Sequence, residues 1–287
     1  MGDRSLTVLA TGPLTTVQDD GRPGQAALGI GRSGVCDRAS AHLANRLLGN
    51  PLSAAVLEVT FGGLTVRAES DLLVVTTGAR CDGAFAHDSP ALLRRGAELR
   101  LGPPASGLRT YFGVRGGLDV APVLGSRATD VLAGLGPAVV AVGDVLPVGE
   151  PSDPPPGVDI AAVADPPDGE ITVAVLPGPR ADWFGDEGWA SLIGQPWTVT
   201  SDSNRVGLRL DGDPLQRART GELPSEGMVR GALQVPPSGT PVLFLADHPV
   251  TGGYPVIGYV ADLSPVSDVD RCAQLRPGQS VRFSPAR

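Results

Sequence analysis

Short apolar runs separated by polar, glycine-rich turns make up most of this chain of 287 residues. The run LLVVT at 72–76 is continuously apolar, which predicts a strand buried on both faces. The run at 171–175 alternates large and smaller residues, as a half-buried strand does. Similar runs predict strands at 110–114, 241–246 and 280–283. The pattern therefore predicts a mainly β protein.

One helix is clearly indicated between Asp37 and Gly49. Asp37 can cap the N-terminus, and Leu43 and Leu47 lie four residues apart on one face. Gly49 is typical of the residue that ends a helix. A second helix is predicted near 182–191. The pattern thus allows only a few short helices among many strands.

A proline-rich segment at 151–169 has no clear apolar period. It predicts an extended crossing between a first module, 1–150, and a second module, 170–287. The two modules share faint matches in the same order, such as GNPL at 49–52 and GDPL at 212–215. This order suggests a duplicated β module.

The net charge of the chain and the kinds of basic residue that it contains exclude several classes of function. A net charge of −8 argues against nucleic acid or an anionic membrane as the main partner. All 23 basic side chains are arginine, because the sequence contains no lysine. The chain therefore has no Schiff-base lysine, no Walker-type phosphate loop and no lysine on which biotin could be carried.

The scattered cysteines and histidines show neither a disulfide framework nor the spacing of a metal site. Buried free thiols in a reducing cytoplasm are the simpler interpretation of Cys36, Cys81 and Cys272. No apolar run approaches the ~18 residues of a membrane span, and no signal peptide is visible. We therefore expect a cytoplasmic protein with no metal site and no membrane partner.

Four polar, glycine-rich clusters follow apolar strands. They are 16–24 with 31–38, then 114–130, then 201–210 with 224–236, and finally DHPVTGGYP at 247–255. Glycine lets backbone N–H groups approach a ligand, and an arginine beside such a turn can bind a carboxylate or phosphate through two hydrogen bonds. Charges in tight turns also commonly pair with one another. The residues alone therefore leave open an enzyme with an anion-binding groove and a binding subunit.

The clusters together resemble the allophanate hydrolase subunit 2 family. This family includes the C subunit of 5-oxoprolinase, the sporulation regulator KipA and part of the carboxyltransferase region of urea carboxylase. The opening signature is similar to residues 16–50, and the later ones follow in order as YFGVRGGLDVAPVLGSRATD, SNRVGLRL, SEGMVRGALQVP, ADHPVTGGYPVIGYVADL and AQLRPGQSVRF. The resemblance covers residues 6–284, nearly the whole chain.

The resemblance implies a cyclophilin-like β-barrel fold, with two related barrel modules. It also implies work beside two partners, a KipI-like B subunit related to allophanate hydrolase subunit 1 and a LamB/YcsF-like A subunit. Together they open 5-oxo-L-proline to L-glutamate with hydrolysis of ATP and with Mg²⁺. ATP is held on this chain or on a partner.

Two alternatives stay open. One is a carboxyltransferase-type subunit of urea or allophanate metabolism, with biotin presented in trans. The other is a KipA-like regulator that binds a KipI-like partner without catalysis.

The same motifs supply the candidate site residues. Candidate catalytic carboxylates are Asp37, Glu226 and Asp247, although Asp37 is equally explained as a helix cap. Candidate substrate-binding residues are Gln18, Asp19, Arg22, Arg32, Ser33, Arg127, Arg205, Gln234, Thr251, Gly252, Gly253 and Tyr254. The four arginines and Asp247 flank glycine turns, so we predict that they converge on one cleft. In the loop 247–255, the glycines allow close approach to a ligand and Thr251 and Tyr254 supply hydroxyls.

Overall fold

The computed structural model describes residues 4–83, 85–152, 154–261 and 267–286. The chain divides into two compact units. Unit 1 comprises Met1–Arg22, Ser33–Asp130 and Gly134–Pro166, and unit 2 comprises Pro23–Arg32, Val131–Ala133 and Pro167–Arg287. The last change of unit falls inside the predicted crossing at 151–169. The units differ from the predicted modules because two short segments of the first 150 residues belong to unit 2.

Within the described residues, unit 1 is built from nine strands in two sheets. The strands are β1 Ser5–Thr11, β2 Leu14–Gln18, β3 Val56–Thr60, β4 Leu64–Ala68, β5 Leu72–Gly78, β6 Ala91–Leu93, β7 Glu98–Arg100, β8 Arg109–Val114 and β9 Val145–Pro147. One sheet has the order β7-β4-β1-β9 and the other has the order β2-β3-β8-β5-β6. All the pairings in these two sheets are antiparallel.

Both sheets of unit 1 contribute to one apolar core. Leu6 and Val66 come from the first sheet, and Leu57, Val74 and Phe112 from the second, and all five are fully buried. Along β4, buried positions such as Val66 alternate with more exposed ones, as expected for a strand with one buried face.

The predicted helix is confirmed as α1, Arg38–Leu48. Asp37 caps it by accepting a hydrogen bond from the Ser40 backbone N–H, and Gly49 ends it in the left-handed conformation. Leu47 and Leu48 pack with Val75 of β5 in a separate apolar cluster of unit 1. The helix therefore forms from local signals and is fixed by the sheet against which it packs.

Unit 2 contains a closed barrel. The strands of unit 2 are β10 Ile171–Pro177, β11 Pro196–Val199, β12 Gly207–Asp211, β13 Glu226–Gly227, β14 Ala232–Gln234, β15 Val242–Phe244, β16 Thr251–Gly252, β17 Val256–Val260 and β18 Ser280–Pro285. The barrel order is β10-β17-β14-β15-β12-β11-β18, and β13 pairs with β16 outside it. The parallel pairing of β10 with β18 closes the barrel.

Short helices complete unit 2. They are α2 Gly185–Gly194, α3 Asp268–Cys272 and the 3-10 helices Ala26–Leu28 and Ala181–Trp183. The helix predicted near 182–191 is thus observed three residues further along. Trp197 of β11 is fully buried, and its indole N–H donates to the Leu192 carbonyl of α2 at 2.9 Å. This bond fixes α2 on the barrel.

The prediction of a mainly β fold with few helices is confirmed, and the barrel is present in unit 2. In unit 1 the described strands form two sheets instead of a second closed barrel. Three of the edge strands, β6, β7 and β9, have only three residues each, so they offer few backbone groups for further pairing.

Two further findings bear on the expectations from composition. The three cysteines are buried free thiols. Among the described residues, the helices are all too short or too polar to cross a membrane.

Gly116 occupies a position in unit 1 that only glycine fits. It has φ 98°, and an added Cβ would lie 1.9 Å from the Gly149 carbonyl oxygen. Gly125 has a similar φ of 79°, but an added Cβ there would meet no described atom within 4 Å. We predict that Gly116→Ala costs more than about 3 kcal/mol of unfolding free energy, against about 1 kcal/mol for Gly125→Ala. Urea unfolding followed by circular dichroism measures both, and equal losses would contradict the close-approach argument.

Candidate functional site

A buried ion pair joins two of the predicted site residues in unit 2. Arg205 precedes β12 and Asp247 follows β15, and each side chain is at most 1% exposed. Arg205 Nε donates to Asp247 Oδ2 and Arg205 Nη2 donates to Asp247 Oδ1, both at 3.0 Å. The Val131 backbone N–H donates to Oδ2 at 3.1 Å. Both oxygens of Asp247 are therefore engaged, which suits holding the loop 247–255 in place, and its predicted catalytic role stays a prediction.

Glu226 lies in a second ion pair of unit 2. Strands β13 and β16 place it opposite Gly252 of the predicted loop. Arg180 Nε donates to both carboxylate oxygens at 2.9 and 3.0 Å, and the Nη2 group also contacts Oε1. The hydrogen bond from Arg180 lowers the pKa of Glu226 below its usual value. Glu226 is thus a carboxylate held ionised at neutral pH.

Gly252 allows a close contact with Gln234. The Gln234 amide Nε2 donates to the Tyr254 carbonyl at 3.1 Å, and an added Cβ at Gly252 would lie 2.5 Å from the same nitrogen. Gly253 differs, because it lies outside the left-handed region and an added Cβ would meet only the Leu223 carbonyl at 3.7 Å. A side chain at 252 would therefore displace the Gln234 amide from this contact, whereas position 253 has room for a side chain.

The predicted loop also lines a pocket of about 300 Å³ in unit 2. Gly253 and Tyr254 form part of its wall. Residues that we did not predict from the sequence supply the rest, namely Trp183, Arg217, Gly221, Glu222, Leu223, Pro237 and Pro255. Arg217 has no glycine beside it in the sequence PLQRART, so the pattern of arginines that flank glycine turns does not include it.

In unit 1 the carboxylate of Asp19 ties two loops together. Asp19 Oδ1 accepts from the Gly21 backbone N–H at 2.8 Å and from the Ser126 hydroxyl at 2.6 Å. Its Oδ2 accepts from the Arg127 backbone N–H at 2.6 Å. Two of the glycine-rich clusters, 16–24 and 114–130, are therefore joined through one predicted site residue.

Three more predicted residues meet beside this turn, around the backbone at 128–129. Gln18 Nε2 donates to the Thr129 carbonyl at 2.8 Å, and the Ser33 hydroxyl donates to the same oxygen at 3.3 Å. Arg22 Nη2 donates to the Ala128 carbonyl at 2.5 Å. All three side chains are buried, and Gln18 Oε1 and Arg22 Nη1 have no hydrogen-bond partner within the described ranges.

Arg127 lines a second pocket of about 300 Å³, which belongs to unit 1. Its Nη2 donates to Asp119 Oδ1 at 2.7 Å and its Nε donates to the Val120 carbonyl at 2.8 Å. Glu150 also lines this pocket. The charge of Arg127 is therefore already balanced by an acid within its own unit.

The remaining predicted site residues are Asp37, Thr251 and Arg32. The Asp37 carboxylate accepts from the Ser40 N–H and the Ser40 hydroxyl at 3.0 and 2.6 Å, so the cap explains its position. Thr251 is exposed and pairs with Gly227 across the two short strands. Arg32 is exposed in unit 2. Of the five residues predicted to share one cleft, the structure brings Arg205 and Asp247 together; the wider convergence stays a prediction.

A cluster of four ionisable residues in unit 1, of which His87 and Asp88 are buried, was not predicted. His87 and Asp88 lie in the loop after β5, with His87 Nε2 3.3 Å from Asp88 Oδ2. Arg80 approaches both Asp88, at 3.9 Å, and Asp165, at 3.2 Å. Burial lowers the pKa of His87 to about 4 and raises the pKa of Asp88 to about 6. At neutral pH the histidine is therefore neutral and the aspartate ionised, a state that sequence spacing alone does not reveal.

The fold and these sites define a mainly β protein with arginine–carboxylate pairs at its turns, and comparison with known proteins places it in a family. The profile described as carboxyltransferase domain, subdomain A and B, matches residues 28–285. The chain is 35% identical to the C subunit of 5-oxoprolinase from Escherichia coli (strain K12), covering 97% of this chain and 90% of that protein. The corresponding protein of Haemophilus influenzae is 30% identical, with the same coverage.

Two larger solved proteins contain a similar structure. TTHA0988 superposes with a TM-score of 0.86 at 35% identity over 98% of this chain, which spans 56% of the TTHA0988 chain. The urea amidolyase of K. lactis superposes with a TM-score of 0.87 at 28% identity, and this chain spans 19% of it. The chain therefore belongs to the carboxyltransferase domain family.

The Arg205–Asp247 pair allows a test of how unit 2 is held. Removing one partner leaves a buried charge unpaired, so we expect Arg205→Met and Asp247→Leu each to cost about 3–5 kcal/mol of unfolding free energy. The double variant should cost only about 1–3 kcal/mol, mainly because the Val131 N–H loses its acceptor. Unfolding can be followed by tryptophan fluorescence, since Trp183, Trp189 and Trp197 all lie in unit 2. Additive losses in the double variant would show that the two side chains are not coupled.

The cluster at His87 predicts a pH dependence with a definite sign. The raised pKa of Asp88 means that folding costs more as the pH rises through about 6, because the buried carboxyl must ionise. The lowered pKa of His87 acts oppositely, since folding costs more as the pH falls toward about 4. The melting temperature of Asp88→Asn relative to the native chain should therefore rise from pH 4 to pH 7.

A matched variant separates the two groups. His87→Gln should gain melting temperature relative to the native chain on acidification below the usual histidine pKa of about 6.5, the opposite trend to Asp88→Asn. Calorimetric melting temperatures across this range check both trends. Parallel curves for all three proteins would contradict the burial of these two groups.

Proposed function

We propose that this chain acts as the C subunit of a heteromeric, ATP-dependent 5-oxoprolinase that opens 5-oxo-L-proline to L-glutamate. The observation that carries the proposal is end-to-end correspondence with proteins of that name, which covers 97% of this chain and 90% of the Escherichia coli protein. The urea amidolyase of Lachancea kluyveri is 32% identical, but this chain spans only 17% of it. The higher identity and the larger share of the relative that is covered favour the first role.

The partners in this proposal are a KipI-like B subunit and a LamB/YcsF-like A subunit. A relative named as one subunit of an enzyme supports assembly with other chains. This chain spans 56% of the TTHA0988 chain, so the rest of that chain has room for a second, somewhat shorter polypeptide. We expect a KipI-like partner to bury an interface above ~1,000 Å² on this chain.

The overall reaction breaks the C–N bond of the lactam. The oxygen of one water enters the new carboxylate, the ring nitrogen becomes the amino group of glutamate, and hydrolysis of ATP to ADP and phosphate drives the step. Such a reaction needs cationic or N–H donors for developing negative charge and a proton acceptor for water. This chain contributes arginine side chains and backbone N–H groups to the first requirement.

ATP and Mg²⁺ need not be held by this chain. It contains no lysine for a phosphate loop. Within the described ranges, no group of three or more His, Cys, Asp or Glu side chains is arranged to hold a metal ion. We therefore assign no step to a metal bound by this chain, and propose that the nucleotide is bound with the help of a partner chain.

A second candidate function is carboxyl transfer in urea metabolism. The TM-score of 0.87 with K. lactis urea amidolyase favours it, because the whole of this chain is matched. A biotin group would have to be presented in trans, since this chain has no lysine to carry it. In that reaction, the bond from the carboxyl group to the biotin nitrogen would break as a bond to a urea nitrogen forms, and the released biotin nitrogen would take up the proton that the urea nitrogen loses.

A reconstitution experiment decides between the two. We predict that glutamate is released from 5-oxo-L-proline only when this chain is combined with both partner subunits, ATP and Mg²⁺, because no self-contained catalytic motif is present in its sequence. A coupled glutamate assay on each chain, each pair and the full set measures this. Turnover by this chain alone, or no turnover by the full set, would overturn the proposal. Biotin-dependent carboxylation of urea by the same chain would instead support the second candidate.

A further inference from the structure

Arg217 occupies an unusual electrostatic position in the pocket of unit 2. Its Nη2 group donates to the Val235 carbonyl at 2.9 Å, which fixes the guanidinium against the barrel. Its Nε and Nη1 groups have no hydrogen-bond acceptor, and its charge no ion-pair partner, among the residues that the structure describes. Arginine stays protonated at any physiological pH. The pocket wall therefore carries a guanidinium that has no ion-pair partner within the described residues and still has free N–H donors.

Two other arginines of the same unit are compensated by acids. Arg180 is paired with Glu226, and Arg219 is paired with Asp182 at 2.6 Å. The pocket of unit 1 is different again, because Arg127 there is already bound to Asp119. Between the two pockets of about 300 Å³, the one in unit 2 is thus the better host for an anionic group.

The rest of this pocket limits the ligand to a small molecule. Trp183 is 8% exposed and supplies an apolar wall, and Tyr254 is 47% exposed and carries a hydroxyl. Glu222, which is exposed and has no ion-pair partner in the described ranges, adds a carboxylate to the lining. A cavity of about 300 Å³ lies at the small end of ligand sites. Arginine and glutamate in one small pocket match a ligand that has a carboxylate and an N–H donor.

We infer that this pocket binds a small amino-acid-like molecule, with its carboxylate on Arg217 and its N–H or ammonium group on Glu222. A carboxylate can accept two parallel hydrogen bonds from a guanidinium, which fixes its orientation. The loop 247–255 then contributes to binding through Gly253 and Tyr254 at the pocket wall. The choice of 5-oxo-L-proline and L-glutamate as probes rests on the proposed function, whereas the need for a carboxylate and an N–H group rests on the pocket.

Calorimetric titration of the full chain tests the recognition. The probes are 5-oxo-L-proline, L-glutamate and 2-pyrrolidinone, which keeps the lactam but lacks the carboxylate. We expect binding of at least one of the two carboxylates and binding of 2-pyrrolidinone at least about ten-fold weaker, since a charge-assisted contact is lost. Equal affinity for 2-pyrrolidinone, or no binding of either carboxylate, would overturn the inference.

Variants then locate the site. Arg217→Gln should weaken carboxylate binding by about ten-fold or more, while Arg219→Gln, which removes a neighbouring but paired arginine, should change it less than about two-fold. If Arg217→Gln fails to fold, Glu222→Gln serves as the second variant, because this side chain is exposed and its loss should weaken binding of the ammonium-bearing L-glutamate several-fold. Unchanged affinity in the folded variants would place the ligand elsewhere and refute the assignment.

The reconstituted complex separates this inference from the proposed function. If the Arg217→Gln variant releases glutamate normally with an unchanged KM for 5-oxo-L-proline, the proposed function stands and the assignment of this pocket as the binding site is refuted. Carboxylate binding that depends on Arg217, without glutamate release by the full complex, would support the pocket and refute the proposed function.

Discussion

The buried Arg205–Asp247 pair is the contact on which the candidate site of unit 2 depends. It joins the start of β12 to the end of β15, and the Asp247 backbone N–H also donates to the Arg205 carbonyl at 3.0 Å. A buried charge without a partner is strongly unfavourable, so the pair forces these two segments into one arrangement. The loop 247–255 leaves the barrel from this fixed point. Its later residues are then held by Gln234 at the Tyr254 carbonyl and by the short pairing of β13 with β16.

In unit 1, the carboxylate of Asp19 stabilises glycine-rich turns through hydrogen bonds. Asp19 accepts three hydrogen bonds from two loops, so one carboxylate replaces the contacts that a regular strand would make. Hydrogen bonds to a charged acceptor are stronger than neutral ones, which suits turns whose glycines provide little packing of their own. In both units, a carboxylate at the end of a strand thus stabilises the glycine-rich segments that the sequence marks as functional.

Local sequence signals predict local structure well in this chain. Asp37 and Gly49 mark both ends of α1, because a cap and a stop act within one turn of the residues that they satisfy. The runs at 72–76 and 171–175 are strands for the same reason of short-range periodicity. Barrel closure is different, since it needs β10 to meet β18 more than 100 residues later in the sequence. Nothing in either strand specifies that partner.

The candidate site shows the same difference between local signals, which the sequence reveals, and long-range contacts, which it does not. Glycine-flanked charges in the sequence led to Arg205 and Asp247, but not to their pairing across 42 residues of chain. Arg217 has no glycine next to it in the sequence, and in the folded unit it is distinguished because no acid among the described residues forms an ion pair with it. His87 and Asp88 acquire shifted pKa values mainly through burial, and the charge of the distant Asp165 raises both pKa values. Long-range burial and pairing therefore determine which of the many polar turns can bind a ligand.

All 23 strongly basic side chains of this sequence are arginine, which limits the roles that its cations can take in the proposed reaction. A guanidinium stays protonated, so it can hold a carboxylate or a developing anion but cannot exchange a proton near neutral pH. Among the proposed catalytic carboxylates, Glu226 has its pKa lowered by Arg180, Asp247 has both oxygens engaged, and Asp37 caps a helix. Each is better suited to fixing charge and geometry than to removing a proton from water. Under the proposed function, these three carboxylates bind and orient the substrate, and a group other than these three accepts the proton during ring opening.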